Sequence, residues 1–153
     1  LDFSLQGPHA CARADWPGPA TPWLALDRDG NGSIDDGREL FGSGTLLASG
    51  SHARHGFAAL AELDTDGDGA LTPADPAWPG LVLWADHDAD RRSTHWELLP
   101  IASFEIEAID LDFTHTRECD ARGNCGAERS AFRYRSNGRS HHGEVIDVHL
   151  RCE

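Results

Sequence analysis

At 153 residues the chain suits one domain with a single modest core. Its 39% hydrophobic and 25% charged residues exclude a disordered chain. The formal net charge of −13 excludes nucleic acid as a partner, which needs a basic face, and favours cation uptake: three divalent ions would bring it to −7.

In chain order, Leu1-Asp2-Phe3-Ser4-Leu5 alternates like a short strand, and Pro8, Pro17, Pro19 and Pro22 then mark a loop. Residues 24–104 hold three acidic clusters between apolar segments. Helical spacing of Phe57, Leu60 and Ala61 predicts a helix over 55–63. A shorter one over 74–81 is limited to about a turn by Pro76 and Pro79. A third, over 96–103, is stopped or bent at Pro100. From Glu105 the period changes to two. Ile109, Leu111 and Phe113 form one alternating set, Phe132 and Tyr134 a second, and Ile146, Val148 and Leu150 a third. Asn137-Gly138 supplies a tight turn between the last two. The expectation is one α+β domain over 1–153. Calcium loops with short helices occupy 24–104, and antiparallel strands over 105–153 pack with 1–5.

The acidic clusters keep a spacing with a chemical meaning. Calcium takes six to eight oxygens, and a short loop supplies them from positions 1, 3, 5, 7, 9 and 12, with glycine bending the chain at 6. In the loop starting at Asp64, the carboxylates Asp64, Asp66 and Asp68 occupy 1, 3 and 5, and Gly69 the bend. Ala70 offers its carbonyl, Leu71 points to the core, Thr72 offers a hydroxyl or a bridging water, and Asp75 closes the loop. In the loop starting at Asp27, Asp29, Asn31, Ser33 and Asp35 follow at the same offsets, with Gly32 at the bend and Ile34 in the core. Position 12 there is Arg38, and the closing carboxylate arrives one residue later as Glu39, with Gly37 free to relax its backbone angles. The loop starting at Asp86 offers Asp86, Asp88, Asp90, the Arg92 carbonyl and Glu97. Arg91 replaces its bend glycine, so this loop is expected to be the weakest. Asp and Gly dominate ordinary turns too. Three loops in register, each flanked by apolar segments, argue against coincidence.

Leu26 through Gly42 resembles the LDxDGNGxIDxGxELFG block of bacterial EF-hand-like calcium-binding domains, found in RTX-type (hemolysin-type) secreted proteins and as standalone secreted proteins. Gly56 through Asp64, Asp75 through Trp84, and Trp96-Glu97-Leu98-Leu99 resemble its later segments, with Trp96 in place of the family glycine. The resemblance implies that the late Glu39 is a ligand. It also brings in a related module that cleaves an Asp-Pro bond at its own N-terminal edge when calcium binds. The Asp-Pro of this chain is Asp75-Pro76, inside a loop, so the sequence gives self-processing no support.

Of three possible pairings of the four cysteines, Cys119–Cys125 across a turn and Cys11–Cys152 tying the termini are expected. Disulfides imply a secreted or cell-surface location. No apolar run approaches the ~20 residues that span a bilayer. The nine histidines form no HExxH and no zinc spacing, and no nucleophile elbow, P-loop or dinucleotide fingerprint occurs, so no enzyme is expected. The function expected is calcium binding in a secreted structural or interaction module, with an extracellular protein as a further partner. Self-processing and a dockerin-like protein-binding role are the alternatives.

Overall fold

The computed structural model describes residues 3–5 and 14–152. Strands β1 (Trp23–Leu26), β3 (Leu81–Trp84) and β4 (Leu98–Pro100) form a small antiparallel sheet in the order β1-β3-β4. The larger sheet is built on β7 (Cys125–Ser136), which pairs with β8 (Arg139–His149) along one edge. Its other edge is shared by β6 (Thr114–Cys119) and β5 (Ile106–Asp110), and β5 carries β2 (Ala70–Leu71). Asn137 and Gly138 turn β7 into β8 with positive φ at both residues, as the tight-turn reading expects.

The α+β expectation is overturned. The α-helix among the described residues is α1 (Gly56–Ala61), six residues long, and no helix–loop–helix unit is formed. The helix expected over 74–81 is a 3₁₀ turn, Trp78–Gly80, because Pro79 lacks an N–H and the chain must extend at Leu81 to enter β3. The helix expected over 96–103 is divided. Leu98–Pro100 extend to pair with Val82, Leu83 and Trp84, and Ile101–Phe104 form a 3₁₀ turn that ends at Glu105 with φ 53. Sheet pairing outweighed local helical propensity at both places. In α1 itself the buried alanine is Ala59, while Ala61 faces outward.

Two apolar clusters hold these parts together. Phe57, Leu60, Leu71, Trp78, Leu81, Ile101 and Ile109 pack between α1 and the sheets. Ala25, Ile34, Leu40 and Trp84 fill the second, with Phe3, Trp16 and Trp23 packed around it. Four tryptophans are thus core or core-edge residues, as expected of large aromatics in a small domain, whereas Trp96 is 75% exposed. In the opening stretch, Ser4 forms a parallel bridge to Asp36, and Gly37 N–H donates to the Ser4 carbonyl at 2.7 Å. A Cβ on Gly37 would collide with the Leu5 backbone, so this glycine permits a close approach; its φ is not positive.

Candidate metal centres

Each acidic loop hangs from regular structure at both ends. The first leaves β1 and returns at Glu39 and Leu40, where Ala25 bridges Leu40 and Leu26 N–H donates to the Glu39 carbonyl. The third leaves β3 and returns into β4, with Ala85 N–H on the Glu97 carbonyl. Loop three is therefore the end of the β3–β4 hairpin, and loop one starts from the neighbouring strand of the same sheet and returns to it through an isolated bridge. The second follows α1, runs through β2 and closes on the Trp78–Gly80 turn.

Inside the loops the hydrogen bonds repeat position by position. The first aspartate accepts the N–H of position 6: Gly32 to Asp27 at 2.7 Å, Gly69 to Asp64 at 3.0 Å and Arg91 to Asp86 at 3.0 Å. Position 3 accepts from position 5: Asn31 to Asp29, Asp68 to Asp66 and Asp90 to Asp88, at 3.1, 3.2 and 3.2 Å. Position 5 accepts from position 7: Ser33 to Asn31, Ala70 to Asp68 and Arg92 to Asp90, at 2.8, 2.9 and 2.8 Å. These short Asx-type bonds wind the backbone so that positions 1 and 3 converge with the closing carboxylate, while Asp68 and Asp90 at position 5 stay exposed. A helix on either side is not required for that winding.

The closing carboxylates repeat as well. Glu39 accepts from Arg28 and Asp35, Asp75 from Thr65 and Thr72, and Glu97 from His87 and Thr94. One oxygen takes the N–H of position 2 and the other that of position 9 in every loop. The extra residue before Glu39 leaves this pattern intact. Glu39, Asp75 and Glu97 are all buried.

Three triads result: Asp27, Asp29 and Glu39; Asp64, Asp66 and Asp75; Asp86, Asp88 and Glu97. Within each, ligand oxygens lie within 4.8 Å of one another. The other expected ligands sit differently. Asn31 turns its amide N–H₂ toward Asp29 and Asp35 at 3.1 and 2.7 Å, presenting a donor to the cluster. Asp68 and Asp90 are exposed and lie outside the triads, Ala70 is buried in β2, and the Thr72 hydroxyl accepts from Ala74. Ser33 is partly buried and Arg92 exposed.

Backbone donors set several carboxyl groups. Burial pushes Asp27 up, but the Gly32, Gly30 and Asn31 N–H groups outweigh it and hold the carboxyl below its ordinary value. Glu97 is likewise held down against burial by Thr94 and His87. The Thr72 and Thr65 N–H groups lower Asp75. For Asp66 the Asp68 N–H pulls downward, but burial and the charges of Asp68 and Asp75 prevail and raise it.

The third loop keeps the shape of the others without their glycines. Gly30 and Gly32, and Gly67 and Gly69, have φ between 71 and 87; Ala89 and Arg91 take φ 59 at the same two positions. The left-handed cost falls here on residues with a Cβ. Asp86 Oδ1 is buried and accepts no hydrogen bond from the protein. A buried oxygen without a donor, beside Asp88 and Glu97, fits a hard cation as its missing partner.

Sequence reasoning missed a contact that joins two loops. The backbone N–H of Ile34 donates to Ser93 Oγ at 2.6 Å, and that hydroxyl donates to the Ile34 carbonyl at 3.2 Å. Both residues stand at position 8 of their loops, the offset shared with Leu71, which was a readable signal.

Elsewhere, Cys119 and Cys125 form the expected disulfide. The Cys11–Cys152 pairing involves Cys11, which lies outside the described residues; no described cysteine is free. Among the described residues no helix is long and apolar enough to cross a membrane.

Comparison with known proteins agrees with the bacterial resemblance. The chain is 41% identical over 120 residues to "Iron-regulated protein FrpA" of Neisseria meningitidis serogroup C, an alignment covering 74% of this chain and 11% of that protein. The chain therefore spans about a tenth of the length of that relative. A family model described as the SPM domain matches residues 1–151, and the chain belongs to this SPM domain family.

Proposed function

We propose that this chain is a calcium-binding module of a secreted protein, folded and stabilised by ions held in the three acidic loops. The observation that carries the reading is the repetition of one donor pattern in three unrelated stretches of backbone. Each repeat aims position 1, position 3 and the closing carboxylate at one point. All-oxygen sites with flexible geometry favour calcium over magnesium, which demands a near-ideal octahedron. Asp27, Asp29 and Glu39, then Asp64, Asp66 and Asp75, then Asp86, Asp88 and Glu97 would hold the ions, with backbone carbonyls and water completing each shell. The disulfide supports an oxidising, extracellular setting, where millimolar calcium is compatible with such loops.

Calorimetric titration of the calcium-free chain tests this. Three equivalents should bind, the third loop most weakly because Ala89 and Arg91 carry the left-handed backbone. No calcium heat, or equal preference for magnesium, would defeat the proposal.

A second reading is calcium-triggered self-processing, the activity of the related module that the sequence resemblance brings in. Asp75 is 2% exposed with both oxygens held by backbone donors, so Asp75-Pro76 is shielded. The bond cut would have to lie in flanking sequence. A chain extended upstream through an Asp-Pro and incubated with calcium would show cleavage bands under this reading and remain intact under the first.

A further inference from the structure

Outside the loops, a different set of side chains converges where α1 meets the larger sheet. Glu128 on β7 and Asp147 and His149 on β8 each bring a ligand atom within 4.8 Å of the others. Asp147 and His149 are two apart on one strand and share a face. Glu128 reaches them through a bulge. Gly126 pairs with Val148 and Arg129 with Ile146, so Ala127 and Glu128 together oppose the single Asp147. A bulge of this kind re-aims a side chain. Here it points a glutamate that is 7% exposed at a neighbouring aspartate.

The partners around these carboxylates are imidazoles and backbone. His149 Nε2 lies 3.5 Å from Glu128 Oε2, and His115 Nδ1 lies 3.1 Å from Glu128 Oε1. Gly56 N–H donates to Asp147 Oδ2 at 2.6 Å. Among the described residues the salt-bridge partners of Glu128 are these two histidines, and Asp147 has none. Two adjoining carboxylates without a fixed cation repel each other.

We propose that Glu128, Asp147 and His149 form a site for a zinc-class divalent cation, separate from the three oxygen-lined loops. Imidazole nitrogen beside carboxylate oxygen suits zinc, nickel or cobalt, whereas calcium takes oxygens. Three protein ligands leave a fourth position open. His115, holding the other oxygen of Glu128, orients that ligand from outside. Tetrahedral zinc with bonds of about 2.0–2.1 Å places its ligands about 3.4 Å apart. The set must therefore tighten on binding, and the half-exposed His149 ring has room to move. Sequence spacing could not show this site, since its parts come from two strands and a bulge.

The proposal does not depend on the calcium reading, and its test keeps them apart. The chain is first saturated with calcium and then titrated with zinc by calorimetry, with cobalt absorption as a second readout of tetrahedral coordination. One equivalent of zinc should bind without displacing calcium. His149→Ala and Glu128→Gln should each weaken zinc binding tenfold or more, while His142→Ala, an exposed histidine elsewhere on β8, should leave it unchanged. If Glu128→Gln does not fold, His149→Ala at its half-exposed position decides alone. Absence of zinc uptake by the calcium-saturated chain, zinc binding that merely replaces calcium, or unchanged affinity in His149→Ala would each overturn the assignment.

Discussion

The closing glutamate of the first loop is the sharpest point at which to separate architecture from ion binding. Glu39 has one oxygen on the Arg28 N–H at 3.1 Å and the other on the Asp35 N–H at 2.7 Å. Glu39→Gln keeps the shape but turns one acceptor into a donor, leaving one of those N–H groups facing an N–H₂. An orphaned buried donor costs about 1–3 kcal/mol. For a domain of this length each kcal/mol lowers the melting temperature by about 2–4 °C, so a drop of about 2–12 °C is expected in chelator alone. In calcium at one hundred times the dissociation constant, a lost site removes about a further 2.7 kcal/mol, roughly 5–11 °C more. The assay is a pair of thermal melts, wild type against Glu39→Gln, in excess calcium and in chelator. An equal loss in both conditions would mean that Glu39 is purely architectural and that its loop holds no ion. No loss in either would refute the hydrogen-bond argument too.

Other expectations follow from the same contacts. Ser93→Ala removes the hydroxyl joining Ile34 to the third loop, so calcium uptake by loops one and three should lose mutual dependence; a binding isotherm of unchanged shape would show the contact to be passive. Cys119→Ser with Cys125→Ser opens a ring of sequence separation 6, and loss of about 2 kcal/mol is expected by denaturant titration. Asp120 is held below its ordinary pKa by the side chain and N–H of Asn124 and by the Arg122 N–H. A lowered folded value contributes stability that is present above the unfolded pKa of about 3.9 and is lost as pH falls through the folded one. Melts of Asp120→Asn across acidic pH should therefore show a shallower acid decline than wild type, and parallel curves would count against that linkage.

Much of the candidate site was readable because it is built locally. Asp27, Asp64 and Asp86 bond to N–H groups three to five residues ahead, and the bend glycines Gly32 and Gly69 take the positive φ that their spacing implies. Periodicity also located α1, β7 and β8, where one face is buried and the other wet. The third loop was harder to read. Ala89 and Arg91 adopt a backbone that their identities disfavour, so the surrounding hairpin of β3 and β4 imposes it.

The sequence by itself determined where the carboxylates fall, which of them close each loop, and the one turn that makes the longest hairpin, because these depend on contacts within a few residues. The tertiary structure decided the rest. The runs Trp23–Leu26 and Leu81–Trp84 carry no alternation, since both faces of these strands meet protein, and only pairing with each other and with Leu98–Pro100 makes them a sheet. That pairing took the place of the helices expected around the loops. It set loops one and three side by side for Ser93 to join, while in the larger sheet the register shift between β7 and β8 brought Glu128 to Asp147 and His149.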